Sequence, residues 1–135
     1  MNNLVIDAQG GGIGKQLVAR IKREYPSETV TAVGTNSIAT AAMIKAGADQ
    51  GATGENSVVV ACKTADVIVG PIGIVIADAM LGEITKTIAL SVAQANATRI
   101  LIPFNMCDTL VAGIATTGTG SLIDAAMQTL RTVME

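Results

Sequence analysis

The residues best suited to chemistry are the glycines that follow the first apolar run of the chain. Residues 4–6 form a short apolar run typical of a strand buried on both faces, and residues 13–25 have the apolar spacing of an amphipathic helix. Between them lies the turn Asp7-Ala8-Gln9-Gly10-Gly11-Gly12-Ile13-Gly14-Lys15. A glycine turn between a strand and a helix directs free backbone N–H groups towards an anion. The pattern predicts a phosphate-sized anion site, with close packing of strand and helix as the alternative role of the glycines.

Three known nucleotide-binding patterns fit this turn only in part. The dinucleotide fingerprint G-x-G-x-x-G fails from Gly10, because Lys15 stands where its third glycine belongs. The short-chain dehydrogenase pattern matches at Gly12-Ile13-Gly14, but Tyr25 is the only tyrosine and the Tyr-x-x-x-Lys pair of those enzymes is missing. The Walker A pattern lacks its magnesium-binding hydroxyl at Gln16. The turn therefore indicates an anion site without naming the cofactor.

The second predicted strand, residues 29–33, ends without the residue that a nicotinamide site needs. Such sites have an acid there for the ribose hydroxyls, or an arginine for a 2′-phosphate. This chain has Gly34-Thr35-Asn36. The Thr35 hydroxyl and the Asn36 amide remain able to bond a ribose, yet the missing acid weakens the assignment of a dinucleotide. A nucleotide or dinucleotide is predicted, and its identity stays open.

The alternation of elements predicts an α/β fold with a single doubly wound, mostly parallel sheet, which is Rossmann-like. Right-handed crossovers give the strand order 3-2-1-4-5, and 135 residues suit one domain covering residues 1–135. Further strands are expected near residues 48–51, 66–69 and 99–102, with a shorter sixth at 110–114. Helices are expected at 37–46, 55–64, 74–81 and 85–95, and after Ser121 as a capping residue.

Ligands of this fold bind beyond the carboxyl ends of the strands. In this chain each such end carries glycine, hydroxyl or amide residues, which together indicate a pocket. The predicted cofactor-binding residues are Gln9, Gly10, Gly11, Gly12, Ile13, Gly14, Thr35, Asn36, Thr53, Glu55, Gly70, Pro71 and Asn105.

Composition limits the classes of partner. Apolar residues make up 50% and charged residues 15%, so we expect a homo-oligomer, a dimer, formed through the apolar region from Ile72 to Val92. Cover by the neighbouring helix is the alternative. A net charge of −2 and 1% aromatic residues argue against nucleic acid. The longest apolar stretch, residues 67–81, is shorter than the roughly 20 residues that span a bilayer. No signal-peptide pattern is visible, so the cytoplasm is the expected location.

Side chains for catalysis are few, and no catalytic residue is assigned. The chain has no histidine, and Asp108 would raise the pKa of a thiol at Cys107 rather than lower it, so an ordinary thiol is favoured there. Asp7, Glu55 and Asp108 could hold Mg²⁺ with substrate phosphates, but a turn-forming Asp7 and a helix-end Glu55 are favoured. No metal is predicted.

Several motifs together resemble a family of short bacterial proteins known as domain of unknown function 3842. They are the glycine turn 7–15, Gly34-Thr35-Asn36, the loop 51–56, Gly70-Pro71-Ile72-Gly73 and Met80-Leu81-Gly82-Glu83-Ile84-Thr85. The resemblance covers nearly the whole chain and implies a small bacterial Rossmann-like protein. It supplies no activity and no catalytic residues. That family usually has glycine where this chain has Ala8, which implies a tighter turn or narrower ligand access.

Three hypotheses follow. The leading one is a module that binds a nucleotide or a small phosphorylated ligand at the glycine turn. The second is a small enzyme acting on a phosphorylated or nucleotide substrate, with Glu55 or Cys107 in the chemistry. The third is a structural or partner-binding homo-oligomer whose glycines serve only packing.

Overall fold

The computed structural model describes residues 1–104, 108–114 and 118–135 and contains one sheet flanked by helices. The strands are β1 Asn2–Asp7, β2 Thr29–Gly34, β3 Gln50–Thr53, β4 Val67–Pro71 and β5 Thr98–Ile102. The helices are α1 Gly12–Glu24, α2 Ser37–Lys45, α3 Glu55–Cys62, α4 Lys86–Ala93 and α5 Thr119–Met134. A short 3-10 helix, Ile72–Val75, follows β4.

All five strands are parallel, in the order β3-β2-β1-β4-β5, which confirms the predicted doubly wound arrangement. The central strand β1 pairs with β2 and β4, with Leu4 opposite both Thr31 and Ile68. Parallel strands need a crossover between them, and a helix supplies each one. Every strand therefore ends at the same edge of the sheet, where the next helix begins.

The two faces of β1 serve two separate cores, because successive side chains of a strand point to opposite faces. Val5 packs with Leu17 of α1, Met43 of α2 and Leu130 of α5. Leu4 packs on the other face with residues of α3 and α4. Burial of β1 on both faces explains its continuous apolar sequence.

Residues 74–81 do not form the apolar helix that the sequence predicts. The 3-10 helix ends at Val75, and Asp78, Met80 and Leu81 have φ values of 66°, 55° and 58°, which a right-handed helix excludes. The chain instead folds back on itself through a hydrogen bond from the Asp78 N–H to the Ile84 carbonyl. An apolar stretch without periodicity does not distinguish a buried helix from a buried turn.

The predicted sixth strand and the Ser121 cap are also wrong. Residues 110–114 belong to no strand, and Gly113 within them has a φ of 84°, which is incompatible with extended backbone. The last helix begins at Thr119, with Gly118 in the capping position, so Ser121 already lies inside the helix. No described helix is long and apolar enough to cross a bilayer.

Gly70 offers a test of the contact between β1 and β4. A Cβ on Gly70 would lie 2.5 Å from the backbone carbonyl oxygen of Ile6, which cannot move without disturbing the sheet. We expect Gly70→Ala to lower the free energy of unfolding by about 1–3 kcal/mol, as overpacking does. Gly120→Ala is the matched control, since Gly120 lies in α5 with nothing within 4 Å of a new Cβ. Denaturant unfolding of both variants tests this, and equal stability would contradict the steric argument.

Candidate functional site

The glycine turn lies at the carboxyl end of the central strand, as predicted. β1 ends at Asp7 and α1 begins at Gly12. Gln9 and Gly11 have left-handed backbone, with φ values of 53° and 73°, and the Gly11 N–H donates to the Ala8 carbonyl at 3.0 Å. The left-handed residues reverse the chain within a few residues, so the start of α1 lies directly beyond the end of β1.

Two of the turn glycines are required by packing. A Cβ on Gly11 would lie 2.9 Å from the Cα of Ala39, at the start of α2. A Cβ on Gly14 would lie 2.5 Å from the Met43 Sδ and 2.9 Å from the Asp7 Cβ. The packing role considered for the glycines therefore holds at these two positions.

The other two turn glycines have no such explanation. A Cβ on Gly10 or Gly12 would meet nothing within 4 Å, and neither residue has a positive φ. Both residues are exposed. Within the described part of the chain, neither backbone N–H donates a hydrogen bond to a protein group. Packing and backbone geometry thus leave the two glycines, and their two amides, without a structural role.

A carboxylate of the chain itself occupies part of the predicted anion site. Asp7 is 4% exposed, and its carboxylate accepts the Gly14 N–H at 2.7 Å and the Ala8 N–H at 2.8 Å. Burial raises the pKa of Asp7, and the backbone N–H donors only partly oppose that effect. The first turn of α1 is therefore capped from inside, and the amides left for a ligand are those of Gly10 and Gly12.

A cavity of about 200 Å³ opens beside these two amides. The turn from Gln9 to Ile13 forms one wall. All five residues of this wall, and Pro71, belong to the predicted cofactor-binding residues. The other lining residues lie outside the predicted cofactor-binding set and come from the ends of β1 and β5, from the segment between β4 and α4, and from α1 and α5. They are Asp7, Ala8, Gln16, Met80, Phe104 and Thr119.

Thr35 and Asn36 lie next to the turn and share one acceptor, the Oε1 atom of Glu83. The Thr35 hydroxyl donates to it at 2.7 Å and the Asn36 amide at 2.8 Å. The Gln9 N–H is a third donor, at 2.9 Å. Burial raises the pKa of Glu83, but the three hydrogen bonds together outweigh it, and the pKa lies below its ordinary value. The cluster joins the turns after β1 and β2 to the segment before α4.

The remaining predicted residues that the structure describes do not line this cavity. Thr53 hydrogen-bonds the Thr40 hydroxyl at 2.8 Å on the α2 side of the sheet. Glu55 accepts a hydrogen bond from Thr85, which joins the start of α3 to the start of α4. Gly70 is buried against β1. Asn105 and Cys107 lie outside the described residues.

No cation site forms from the carboxylates considered in the sequence. Among residues 1–104, 108–114 and 118–135, no three acidic or thiol groups lie close enough to hold a metal ion. Asp7, Glu55 and Asp108 all belong to this part of the chain, so they do not converge. Each of the first two instead has a hydrogen-bonding role of its own.

A larger groove of about 450 Å³ lies elsewhere, between α3 and the β1-β2-β3 surface. Uncharged residues line it, among them Thr31, Gln50 and Val60. It does not include the glycine turn. The eight-residue helices α3 and α4 and the segment between β4 and α4 cover this face of the five-stranded sheet, and the groove is surface that they leave open. The smaller cavity is the better candidate site, because unpaired amides and a buried carboxylate meet there.

Comparisons with known proteins identify the family. The model of a family described as Domain of unknown function (DUF3842) matches residues 2–135, and the chain belongs to this family. No curated protein matches the chain. A similar solved structure is the crystal structure of a dodecameric FMN-dependent Ubix-like decarboxylase from Escherichia coli O157:H7. It is 17% identical, covers 97% of this chain and 75% of its own, and has a TM-score of 0.45, which supports no argument about ligand or assembly.

The two carboxylates of the site should give opposite pH dependences of stability. The folded pKa of Asp7 is raised, so its contribution to the free energy of unfolding falls as pH rises from about 3.9 through the raised value. The folded pKa of Glu83 is lowered, so its contribution is present above about 4.3 and is lost as pH falls through the lowered value.

Denaturant unfolding of the wild type, Asp7→Asn and Glu83→Gln between pH 3 and 7 measures both effects. The free energy of unfolding of the wild type minus that of Asp7→Asn should decrease with rising pH. The same difference between the wild type and Glu83→Gln should increase with rising pH. Each variant is the control for the other, because only the slope with pH is compared. Two slopes of the same sign would contradict the assigned environments.

Proposed function

We propose that this member of the DUF3842 family binds a nucleotide or a related phosphorylated small molecule at the turn after β1. The observation that carries the proposal is that Gly10 and Gly12 have exposed backbone amides that are unpaired within the described residues. Both are exposed glycines without a packing or conformational role, and their amides have no partner in the described chain. Glycine at such positions lets a ligand approach the backbone closely. Free amides close to the start of a helix suit a phosphate.

The size of the cavity fits the charged part of such a ligand. About 200 Å³ is less than the roughly 300–1,000 Å³ of pockets that enclose a whole small molecule. We propose that the phosphate lies in the cavity and that the rest of the ligand extends across the carboxyl edge of the sheet. The backbone supplies the contacts, because no lysine or arginine of the described residues lines the cavity.

Asp7 limits how strongly an anion binds. Its buried carboxylate lies beneath the turn and accepts hydrogen bonds from two of the nearby backbone amides. A second negative charge near it is disfavoured when Asp7 is ionised. The proposed site therefore favours a ligand that gains further binding energy from its uncharged part over free phosphate.

Gly12→Glu tests the site without removing a structural glycine. Gly12 is the first residue of α1, where an acidic side chain suits the helix dipole, so the variant should fold. The added charge and bulk lie at the mouth of the cavity. We expect affinity for nucleoside mono- and diphosphates to fall at least about tenfold, which is roughly 1.4 kcal/mol of binding free energy.

Thermal unfolding and calorimetry with a nucleotide panel measure the effect. A nucleotide at 100 times its dissociation constant should stabilise the wild type by about 2.7 kcal/mol. Gly120→Glu is the matched control, since Gly120 is an exposed glycine in the first turn of α5 and does not line the cavity. The proposal fails if no nucleotide shifts the wild type, or if both variants bind as the wild type does.

We also propose that the region from Ile72 to Val92 forms a homodimer contact through its exposed leucines. Most apolar side chains of this region are buried in the chain's own core, but Leu81 is 97% exposed and Leu90 is 60% exposed. Leu81→Glu and Leu90→Glu should shift the mass measured by light scattering from dimer to monomer. Ile38→Glu is the control, since Ile38 is 70% exposed outside the region. A monomeric wild type would overturn this proposal.

A further inference from the structure

The acid that the sequence lacks after β2 is supplied by a distant segment. Dinucleotide-binding folds have an acidic residue at the end of the second strand, where it accepts hydrogen bonds from the ribose hydroxyls. This chain has Thr35 and Asn36 there, and both side chains donate to the carboxylate of Glu83. We propose that Glu83 binds the ribose 2′- and 3′-hydroxyls, so that the site selects ribonucleotides. This inference rests on the proposed function.

The carboxylate is fixed in position before any ligand arrives. Its Oε1 atom accepts hydrogen bonds from a backbone N–H, a hydroxyl and a side-chain amide, at 2.7–2.9 Å. These donors belong to the turns after β1 and β2, the two strands whose ends a nucleotide crosses in this fold. A group held by three donors loses little further freedom when it binds a ligand.

The second carboxylate oxygen is available. Within the described part of the chain, Glu83 Oε2 takes part in no hydrogen bond and no ion pair, whereas Oε1 accepts three. The residue is partly exposed. A carboxylate has lone pairs enough for several donors, and a vicinal diol presents two hydroxyls. Ribose can therefore bind without breaking the contacts that hold Glu83.

The hydrogen bond between Glu83 and the turn after β1 brings the carboxylate next to the phosphate site, as binding of one nucleoside monophosphate requires. Gln9 lines the cavity and donates its N–H to Glu83, while the next residue, Gly10, carries one of the two unpaired amides. Consecutive Cα atoms are about 3.8 Å apart. The Gly10 amide thus lies one residue from the amide that holds the Glu83 carboxylate, and one ligand can contact both.

The charge of Glu83 also defines what the site rejects. No lysine or arginine of the described chain forms an ion pair with it. A 2′-phosphate in place of the 2′-hydroxyl would put a second anion against this carboxylate. A 2′-deoxynucleotide would leave one acceptor without its donor. Both changes should weaken binding.

The test compares AMP, GMP, CMP and UMP with their 2′-deoxy forms by calorimetry on the full chain. The wild type should bind at least one ribonucleotide about 10–100-fold more tightly than its deoxy form, the range of a hydrogen bond to a charged group. Glu83→Gln keeps an oxygen for the three protein donors but replaces the free acceptor with an amide donor. It should bind both forms within about threefold of each other.

Glu24→Gln is the matched control, because Glu24 is a partly buried acid at the far end of α1. It should keep the ribonucleotide preference. Glu83→Asp, which withdraws the carboxylate by one methylene, serves as a second variant and should also lose the preference.

The outcomes separate this inference from the proposed function. If ribo- and deoxynucleotides bind the wild type equally, or if Glu83→Gln keeps the preference, the role of Glu83 is overturned while nucleotide binding stands. If no nucleotide binds the wild type, both the proposed function and this inference are overturned.

Discussion

The start of α1 depends on the buried carboxylate of Asp7. The first amides of a helix have no partner within it, and a buried amide without an acceptor costs free energy. Asp7 meets this need at Gly14 and also accepts the Ala8 N–H of the turn, so the helix can begin directly beyond β1 although Gly11, its capping residue, has no side chain. The arrangement requires a left-handed turn and two glycines that fit against α2 and Asp7 itself. The shape of the candidate site follows from this one buried group.

A second carboxylate organises the outer part of the site. Glu83 joins the turns after β1 and β2 to the segment that precedes α4, while Thr85, two residues later, caps α4 and donates to Glu55 at the start of α3. Side-chain hydrogen bonds therefore connect the loops at the carboxyl edge, in addition to backbone hydrogen bonds such as that from the Thr35 N–H to the Asp7 carbonyl. Loops tied in this way can hold binding groups in place although each is short.

The strands, the helices and their order could be predicted from the sequence because short-range residue patterns determine them. The apolar run before Asp7, the amphipathic pattern of α1 and the regular alternation of elements give the strand order through general rules of handedness. Residues 74–81 were predicted wrongly because an apolar stretch without periodicity has no preferred face. Their turns depend on the hydrogen bond between Asp78 and Ile84, which no local pattern indicates.

The site could be predicted only in part for a similar reason. The glycine turn was visible, but which glycines serve packing depends on Ala39 and Met43 of another helix. Glu83 was not predicted as a site residue, because its partners Thr35 and Asn36 lie 48 and 47 residues away along the chain. A carboxylate supplied from so far away leaves no spacing signal at the end of β2.

The three hydrogen bonds of Glu83 have a dynamic consequence. The Gln9 N–H donates its hydrogen bond to a side chain of the segment before α4, and not to a neighbouring strand. Solvent can reach this amide whenever that segment opens locally, even while the sheet stays intact. Its rate of hydrogen exchange therefore reports the motion of residues more than 70 positions further along the chain, and the protection of this one amide depends on that distant segment.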